Sequence, residues 1–269
     1  MSRVISGVIN LNQGREQQPP LNVKVNIATP AYGSTYSGLY VRSLFDLMNT
    51  APREGVQFSL SDIDYADVVM ARNYLISNFY FNKPECSHLL FLDDDMGFEA
   101  SLIYQMLRLN QPLVGTLYPK RQLDLRKLHA AHAMPFEQAY AQACEFVGSG
   151  TSTQMSAAGD GFTEVKRCGT GVMLISRQCI DTMIRMCPAI VDDKRYKKQP
   201  FGKRFTSFIT PFNKIELEDS ELSEDYSFCY RWTEFCQGKI YAATARRIRH
   251  MGQLVVETSY ADRLGVLVK

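Results

Sequence analysis

Apolar and polar positions alternate along the chain in two distinct rhythms. Residues 23–29 (VKVNIAT) form a strand-like run that Pro30 and Gly33 close. Val41, Leu44, Phe45 and Met48 then recur at i, i+3, i+4 and i+7, which is one stripe of a helix. Residues 56–60 predict a second strand. Val68, Leu75, Ile76 and Phe79 mark a second helix, with Asp62 or Asp64 near its start. Residues 88–92 (HLLFL) are a short, nearly continuous apolar run, the pattern of a central strand buried on both faces. A third helix follows on Leu102, Ile103, Met106 and Leu107. A fourth strand, 113–118, is expected to stop at Pro119. Strands and helices alternating in this way predict a doubly wound, mostly parallel α/β sheet with right-handed crossovers.

The rhythm loosens after residue 119. One helix is expected over 136–146, a strand over 172–175, and a helix carrying Ile180, Met183, Ile184 and Cys187 on one face. Phe228, Cys229, Trp232, Phe235 and Cys236 stripe a last helix that ends before Gly238, and 240–243 is a last short strand. The connections 148–168 and 188–223 exceed ordinary loop lengths and are expected to be functional. The expected layout is a polar segment at 1–22, one domain at 23–255 and a C-terminal segment at 256–269. Within the domain, 23–120 is the scaffold half and 121–255 the lid and pocket half.

Composition narrows the class. With 45% hydrophobic and 22% charged residues among 269, the chain is an ordinary globular one. Thirty basic against 28 acidic residues leave a net charge of +2, so no overall polyanion-binding signature appears. No apolar run reaches membrane-spanning length, and the first twenty residues lack the apolar core of a signal peptide. Seven cysteines without a C-x-x-C pair read as reduced, core-packed thiols, and a cytoplasmic location is expected. Charge is concentrated locally: residues 194–204 carry six basic side chains in eleven, and 216–225 six acidic ones in ten. Each run is either a solvated face or a working surface, the first a basic lid over phosphates and the second an acidic wall.

The sharpest chemical feature is Asp93-Asp94-Asp95 at the carboxyl end of the third strand, the edge at which open α/β sheets bind ligands. Extended geometry would point Asp93 and Asp95 the same way. Converging carboxylates repel unless a cation lies between them, and hard oxygen donors suit Mg2+ or Mn2+. Capping the next helix would need only one acidic residue. Ser223-Glu224-Asp225 opens the Trp232 helix; it serves either as an N-terminal cap or as a carboxylate base aimed at a pocket. Gly169-Thr170-Gly171 before a strand would let a ligand approach the backbone, or simply make a tight turn. His250 gains meaning only alongside the other motifs, and His129 and His132 are left as structural. No G-x-S-x-G elbow and no phosphate-binding P-loop is present.

In order along the chain, Ala28-Thr-Pro-Ala-Tyr32-Gly, Ala71-Arg72-Asn73, Leu92-Asp93-Asp-Asp95, Val114-Gly-Thr-Leu-Tyr118-Pro-Lys120-Arg121, Gly169-Thr-Gly171, Ser223-Glu224-Asp225 and His250-Met-Gly252 together resemble the GT-A-fold glycosyltransferases, family-2-like members in particular. The resemblance covers residues 23–255. It implies a GT-A-like single domain, a nucleotide-sugar donor (UDP- or GDP-linked) and a divalent metal, Mn2+ or Mg2+. Asp93 and Asp95 match the metal and ribose motif, with Asp94 beside them. His250 matches a late metal-binding histidine. Asp225 matches the base of inverting members, and Glu224 would help position it.

By the same resemblance Thr29, Pro30 and Tyr32 would meet the nucleotide base, Arg72 the donor, and Gly169, Thr170 and Gly171 the sugar and acceptor pocket. Family members also carry an acidic residue for the base after the second strand, for which Asp62 and Asp64 are candidates. A glycan or lipid-linked glycan is the default acceptor; the basic run leaves a polyanionic one, modified DNA included, open. A retaining enzyme on the same fold stays an alternative. A haloacid-dehalogenase-like phosphatase is disfavoured because Met96-Gly97 follows the aspartates and they end the third strand rather than the first. A non-catalytic sugar- or nucleic-acid-binding module is disfavoured by the presence together of Asp93, Asp95, Asp225 and His250.

Overall fold

The computed structural model describes residues 19–148, 161–192, 194–198 and 204–252. The first half follows the predicted alternation: β1 (Val23–Pro30), α1 (Gly38–Glu54), β2 (Val56–Ile63), α2 (Val68–Asn82) and β3 (His88–Leu92). Asp67, rather than Asp62 or Asp64, starts α2; its carboxylate accepts from the backbone N–H groups of Val69 and Met70. At the other end of α2, Arg177 donates to the carbonyls of Phe79, Tyr80 and Lys83 and lies 4.4 Å over the Phe79 ring. The helix carbonyls that would otherwise lack donors are thereby satisfied.

Beyond β3 the chain makes a short β4 (Met96–Gly97), α3 (Ala100–Leu109) and β5 (Leu113–Thr116). Pro119 does not end the strand region as expected. It lies inside a further strand, β6 (Tyr118–Leu123), which pairs antiparallel with β7 (Cys144–Val147). A helical hairpin of α4 (Leu125–Ala130) and α5 (Phe136–Ala143) fills the connection, so the helix expected over 136–146 gives way to strand after Ala143. Pro119 is tolerated because β6 belongs to a two-stranded ribbon outside the main sheet, where a missing donor need not break a ladder.

The remaining elements are β8 (Phe162–Val165), β9 (Gly169–Ser176), α6 (Arg177–Met186), a small hairpin of β10 (Glu216–Leu217) and β11 (Ser220–Glu221), α7 (Glu224–Tyr230), β12 (Ile240–Ala243) and β13 (Arg249–His250). α7 runs on into a π-helical turn, Arg231–Phe235. Gly238 follows it for reasons of space: a Cβ there would lie 2.0 Å from the Trp232 ring.

The main sheet has seven strands in the order β2-β1-β3-β9-β5-β12-β8. β1 pairs parallel with β2 and β3, and β5 parallel with β12. β9 runs antiparallel between β3 and β5, and β8 antiparallel on the far edge. The molecule is therefore a mixed α/β fold with a mostly parallel central sheet flanked by helices, as expected. β9, rather than a first-half strand, occupies the centre, and its GTGVMLI run is buried on both faces. On one side of the sheet Phe91, Phe212 and Phe228 pack ring on ring, with centroids 5.4 and 4.7 Å apart. On the other side Leu47, Ile103 and Met106 are fully buried under α1 and α3. Among the described residues all seven cysteines are free, five of them buried. No described helix is long and apolar enough to cross a membrane.

Candidate functional site

The carboxyl end of β3 and the amino end of the antiparallel β9 lie at one edge of the sheet, and Arg72 of α2 links that edge to the start of α7. Leu92 is the last residue of β3, and Asp93, Asp94 and Asp95 form a turn closed by the Met96 N–H to the Asp93 carbonyl at 3.1 Å. A turn, unlike a strand, does not alternate its side chains, so the expectation of Asp93 and Asp95 pointing the same way gives way to a division. Asp93 meets Arg72 of α2, with Nη2 donating at 3.1 and 3.3 Å to its two carboxylate oxygens. The same guanidinium reaches Glu224 at the start of α7 through Nη1. Arg72 is almost fully buried, and the adjacent carboxylates outweigh the burial that would otherwise discharge it, keeping its pKa above the ordinary arginine value. Its position between two carboxylates ties the aspartate turn to α7.

Asp95 faces the other way. Its carboxylate meets Arg121 of β6 and lies 3.3 Å from His250 Nε2. His250 comes to this place because β13 pairs with β4, the strand that follows the aspartate turn. The imidazole Nδ1–H donates to the Pro119 carbonyl at 2.8 Å, and a carbonyl can only accept. Nε2 is thereby left as the outward nitrogen. In the neutral ring it accepts from Arg121 Nε–H at 3.0 Å; protonated, it donates to Asp95. Burial opposes the charged ring, but the Asp95 carboxylate and the Pro119 carbonyl raise its pKa above the ordinary histidine value.

Two observations bear on a metal here. Asp95 Oδ1 is buried with no hydrogen-bond partner, and a second-ligand imidazole is oriented by a backbone carbonyl, as metal-binding histidines usually are. Among the described residues no three His, Cys, Asp or Glu side chains are placed to share one metal ion. The chemistry of this donor pair, one carboxylate and one imidazole, suits a divalent ion that completes its shell with ligands from outside the protein; Asp93, engaged by Arg72, stands apart from them. Asp94 lies between, its carboxyl raised to about 6 by burial and then by its two charged neighbours.

Asp225 is held at the first turn of α7. Ser223 Oγ–H and the Tyr226 N–H (2.8 Å) both donate to its Oδ1. Ser223 therefore braces Asp225 rather than capping the helix with its side chain. Burial raises the Asp225 pKa above the ordinary carboxylate value, against the pull of the Ser223 hydroxyl.

The glycines of Gly169-Thr170-Gly171 serve a different neighbour from the one expected. The ring of Tyr118 occupies the space they leave: a Cβ on Gly169 would lie 2.2 Å from the Tyr118 hydroxyl, and one on Gly171 2.9 Å from Cζ. The Gly171 N–H donates to the Tyr118 hydroxyl at 3.2 Å, and the Tyr118 ring stands edge-on to His250 at 5.4 Å. Thr170 is fully buried on the strand. Thr29 is likewise buried, its hydroxyl bonded to that of Tyr40 at 2.8 Å, so it braces α1 instead of meeting a ligand. Pro30 is half-buried and Tyr32 is exposed. Asp64 accepts from the Gly33 N–H at 2.8 Å and Asp62 from the Tyr36 hydroxyl at 2.9 Å, so both hold the loop after β1. Burial, and then Asp62, push the Tyr36 hydroxyl up to about 12.

The two charged runs resolve unequally. Glu216–Glu221 form the exposed β10–β11 hairpin, with Lys214 paired to Glu221 at 2.8 Å, a solvated face. Only Glu224 and Asp225 of that run turn toward the site. Part of the basic run, residues 199–203, lies outside the described residues, as do residues 149–160; Arg204 donates to the Tyr74 hydroxyl on α2 at 2.9 Å. Sequence reasoning overlooked the parts played by Tyr118, Pro119 and Arg121, although all three stand together in one motif, within the proline-containing strand β6.

No family model matches the sequence, and no curated protein matches it. Among solved structures the chain is similar to A197 from STIV, at 14% identity, over 86% of this chain and 86% of that one, with a TM-score of 0.45. It is also similar to residues 1–349 of S. aureus TarS, at 9% identity, over 85% of this chain and 60% of that one, with a TM-score of 0.40. At such scores a likeness says nothing about activity.

Proposed function

We propose that the protein is a metal-dependent glycosyltransferase that moves a sugar from a nucleotide-sugar donor to an acceptor hydroxyl with inversion. The supporting observation is the convergence at one sheet edge of Asp93–Asp95, Glu224–Asp225 and His250, with Arg72 tying the first group to the second. In this reading Asp95 and His250 hold Mn2+ or Mg2+, which supplies positive charge for the leaving diphosphate. Asp225 takes the proton of the acceptor hydroxyl as that oxygen attacks the anomeric carbon. Burial raises its pKa and so makes the carboxylate a stronger base, and its Oδ1 is already engaged by Ser223 and Tyr226, so the proton goes to Oδ2. Glu224 and Asp93 keep Arg72 in place, and Arg72 holds α7 at a set distance from the donor. Tyr32 and Pro30, at the end of β1, border the nucleotide.

The test is a thermal-shift screen of UDP- and GDP-sugars with Mn2+, followed by turnover of the stabilising donor. Asp225→Asn should keep the donor-induced shift and lose about 10²–10⁴-fold in transfer. Wild-type transfer in that variant removes the base assignment, and absence of any nucleotide-sugar effect removes the reaction class.

A further inference from the structure

The cation already present at Asp95 is a side chain of this protein. Arg121 Nη2 contacts Asp95 Oδ2 while its Nε–H donates to His250 Nε2 at 3.0 Å. These are one of the two carboxylate oxygens, and the one imidazole nitrogen not committed to Pro119, that a bound ion would use. The burial of the three groups differs sharply. The Asp95 and His250 side chains are 13% and 10% exposed, whereas that of Arg121 is 60% exposed. The ligands form a floor and the guanidinium lies at the open side.

The geometry of β6 explains how one strand supplies both parts. Residues two apart on a strand share a face; Pro119 orients the imidazole and Arg121 covers it. Lys120, between them, turns to the other side and pairs with Glu145 of β7 at 3.0 Å. Arginine stays charged at every working pH, so Arg121 leaves by swinging into solvent and not by losing its proton.

We propose that Arg121 is a built-in, displaceable cation of the Asp95–His250 pair. It holds the two ligands together without a metal, and it must leave for a divalent ion to bind, so it sets the ion's apparent affinity. This rests on the reading of Asp95 and His250 as metal ligands. The apparent dissociation constant is the intrinsic one divided by the fraction of molecules whose guanidinium has left. Arg72 cannot play this part, because it is buried and bound to two carboxylates at once.

The experiment titrates the full-length chain with Mn2+ alone and follows free Mn2+ by electron paramagnetic resonance. Arg121→Gln should bind Mn2+ about tenfold more tightly than wild type, Arg121→Lys should fall between them, and adding His250→Ala to Arg121→Gln should abolish the gain. Equal or weaker binding by Arg121→Gln, with measurable binding by wild type, overturns the displacement role and leaves the metal site standing. Absence of Mn2+ binding in every variant overturns the metal site itself, and the role of Arg121 with it.

Discussion

The two ends of the aspartate turn are each matched by an arginine, and the two arginines differ in almost every physical respect. At Asp93 the partner is Arg72, which comes from a helix packed under the sheet, is 6% exposed at its side chain and divides its charge between Asp93 and Glu224. At Asp95 the partner is Arg121, which comes from a two-stranded ribbon at the surface and is 60% exposed. A buried charge cannot be left without its partners, so Arg72 belongs to the architecture. A solvated charge contributes little to stability and can move aside at low cost, so Arg121 belongs to the chemistry. Three successive residues of identical type thus take up separate roles, and neighbouring segments decide which.

The sharpest way to break the contrast is to remove the buried cation. Arg72→Leu leaves Asp93 and Glu224 facing each other without compensation and should cost about 3 kcal/mol, whereas Arg121→Gln should change stability by less than about 0.5 kcal/mol. Urea unfolding midpoints of the two variants measure the difference, and similar midpoints would erase the distinction between the two ends. A smaller effect is expected at the wall between them. Tyr118 touches both sides, through the Gly171 N–H and the His250 ring, and the Asp93 N–H donates to the Gly171 carbonyl at 3.0 Å. Gly169→Ala drives a methyl group into the Tyr118 hydroxyl and the Val147 side chain, and should cost about 2 kcal/mol through overpacking. If thermal unfolding shows no loss, the tyrosine is loosely seated and the two ends are not coupled through it.

How much of this was legible in the sequence depended on whether a feature is local. The apolar run of residues 88–92, the helix stripes of the first half and the strand at 240–243 came through because burial imprints itself on consecutive positions. The insertion of β9 between β3 and β5 did not, since periodicity says that a strand is buried but not beside which strand. Pro119 misled for a related reason: its missing N–H breaks a strand inside a sheet but not one in a surface ribbon. At the site, residue types and their order along the chain were readable. The partition of Asp93 from Asp95 was not, because it arises from a three-residue turn and from two arginines 49 positions apart in sequence. The glycines of 169–171 were legible as a place where something approaches closely. That the visitor is Tyr118, from within the chain, is a tertiary fact.

Asp94, between the two ends, offers the finest probe of where they divide. Its carboxyl is raised to about 6 from an ordinary value of 3.8 by burial and by the charges of Asp95 and Asp93, with Arg121 the chief charge pulling it down. A raised folded-state pKa means that the folded chain holds this proton more tightly than the unfolded chain does. The resulting stabilisation is complete below about pH 4 and is lost as the pH rises through about 6. Asp94→Asn removes the ionisable group, so it should raise the unfolding midpoint at pH 7.5 relative to wild type. The gain should stay below about 1 kcal/mol, given solvent screening of a half-exposed group. At pH 4, where wild-type Asp94 is already protonated in the folded state, the two proteins should unfold alike. In an Arg121→Gln background the gain at pH 7.5 should grow, because the charge that offsets the ionised Asp94 is gone; in an Arg108→Gln background, on the far side of α3, it should stay the same. A gain that does not respond to Arg121 would assign Asp94 to the fixed, Arg72 end of the turn and move the boundary between architecture and chemistry by one residue.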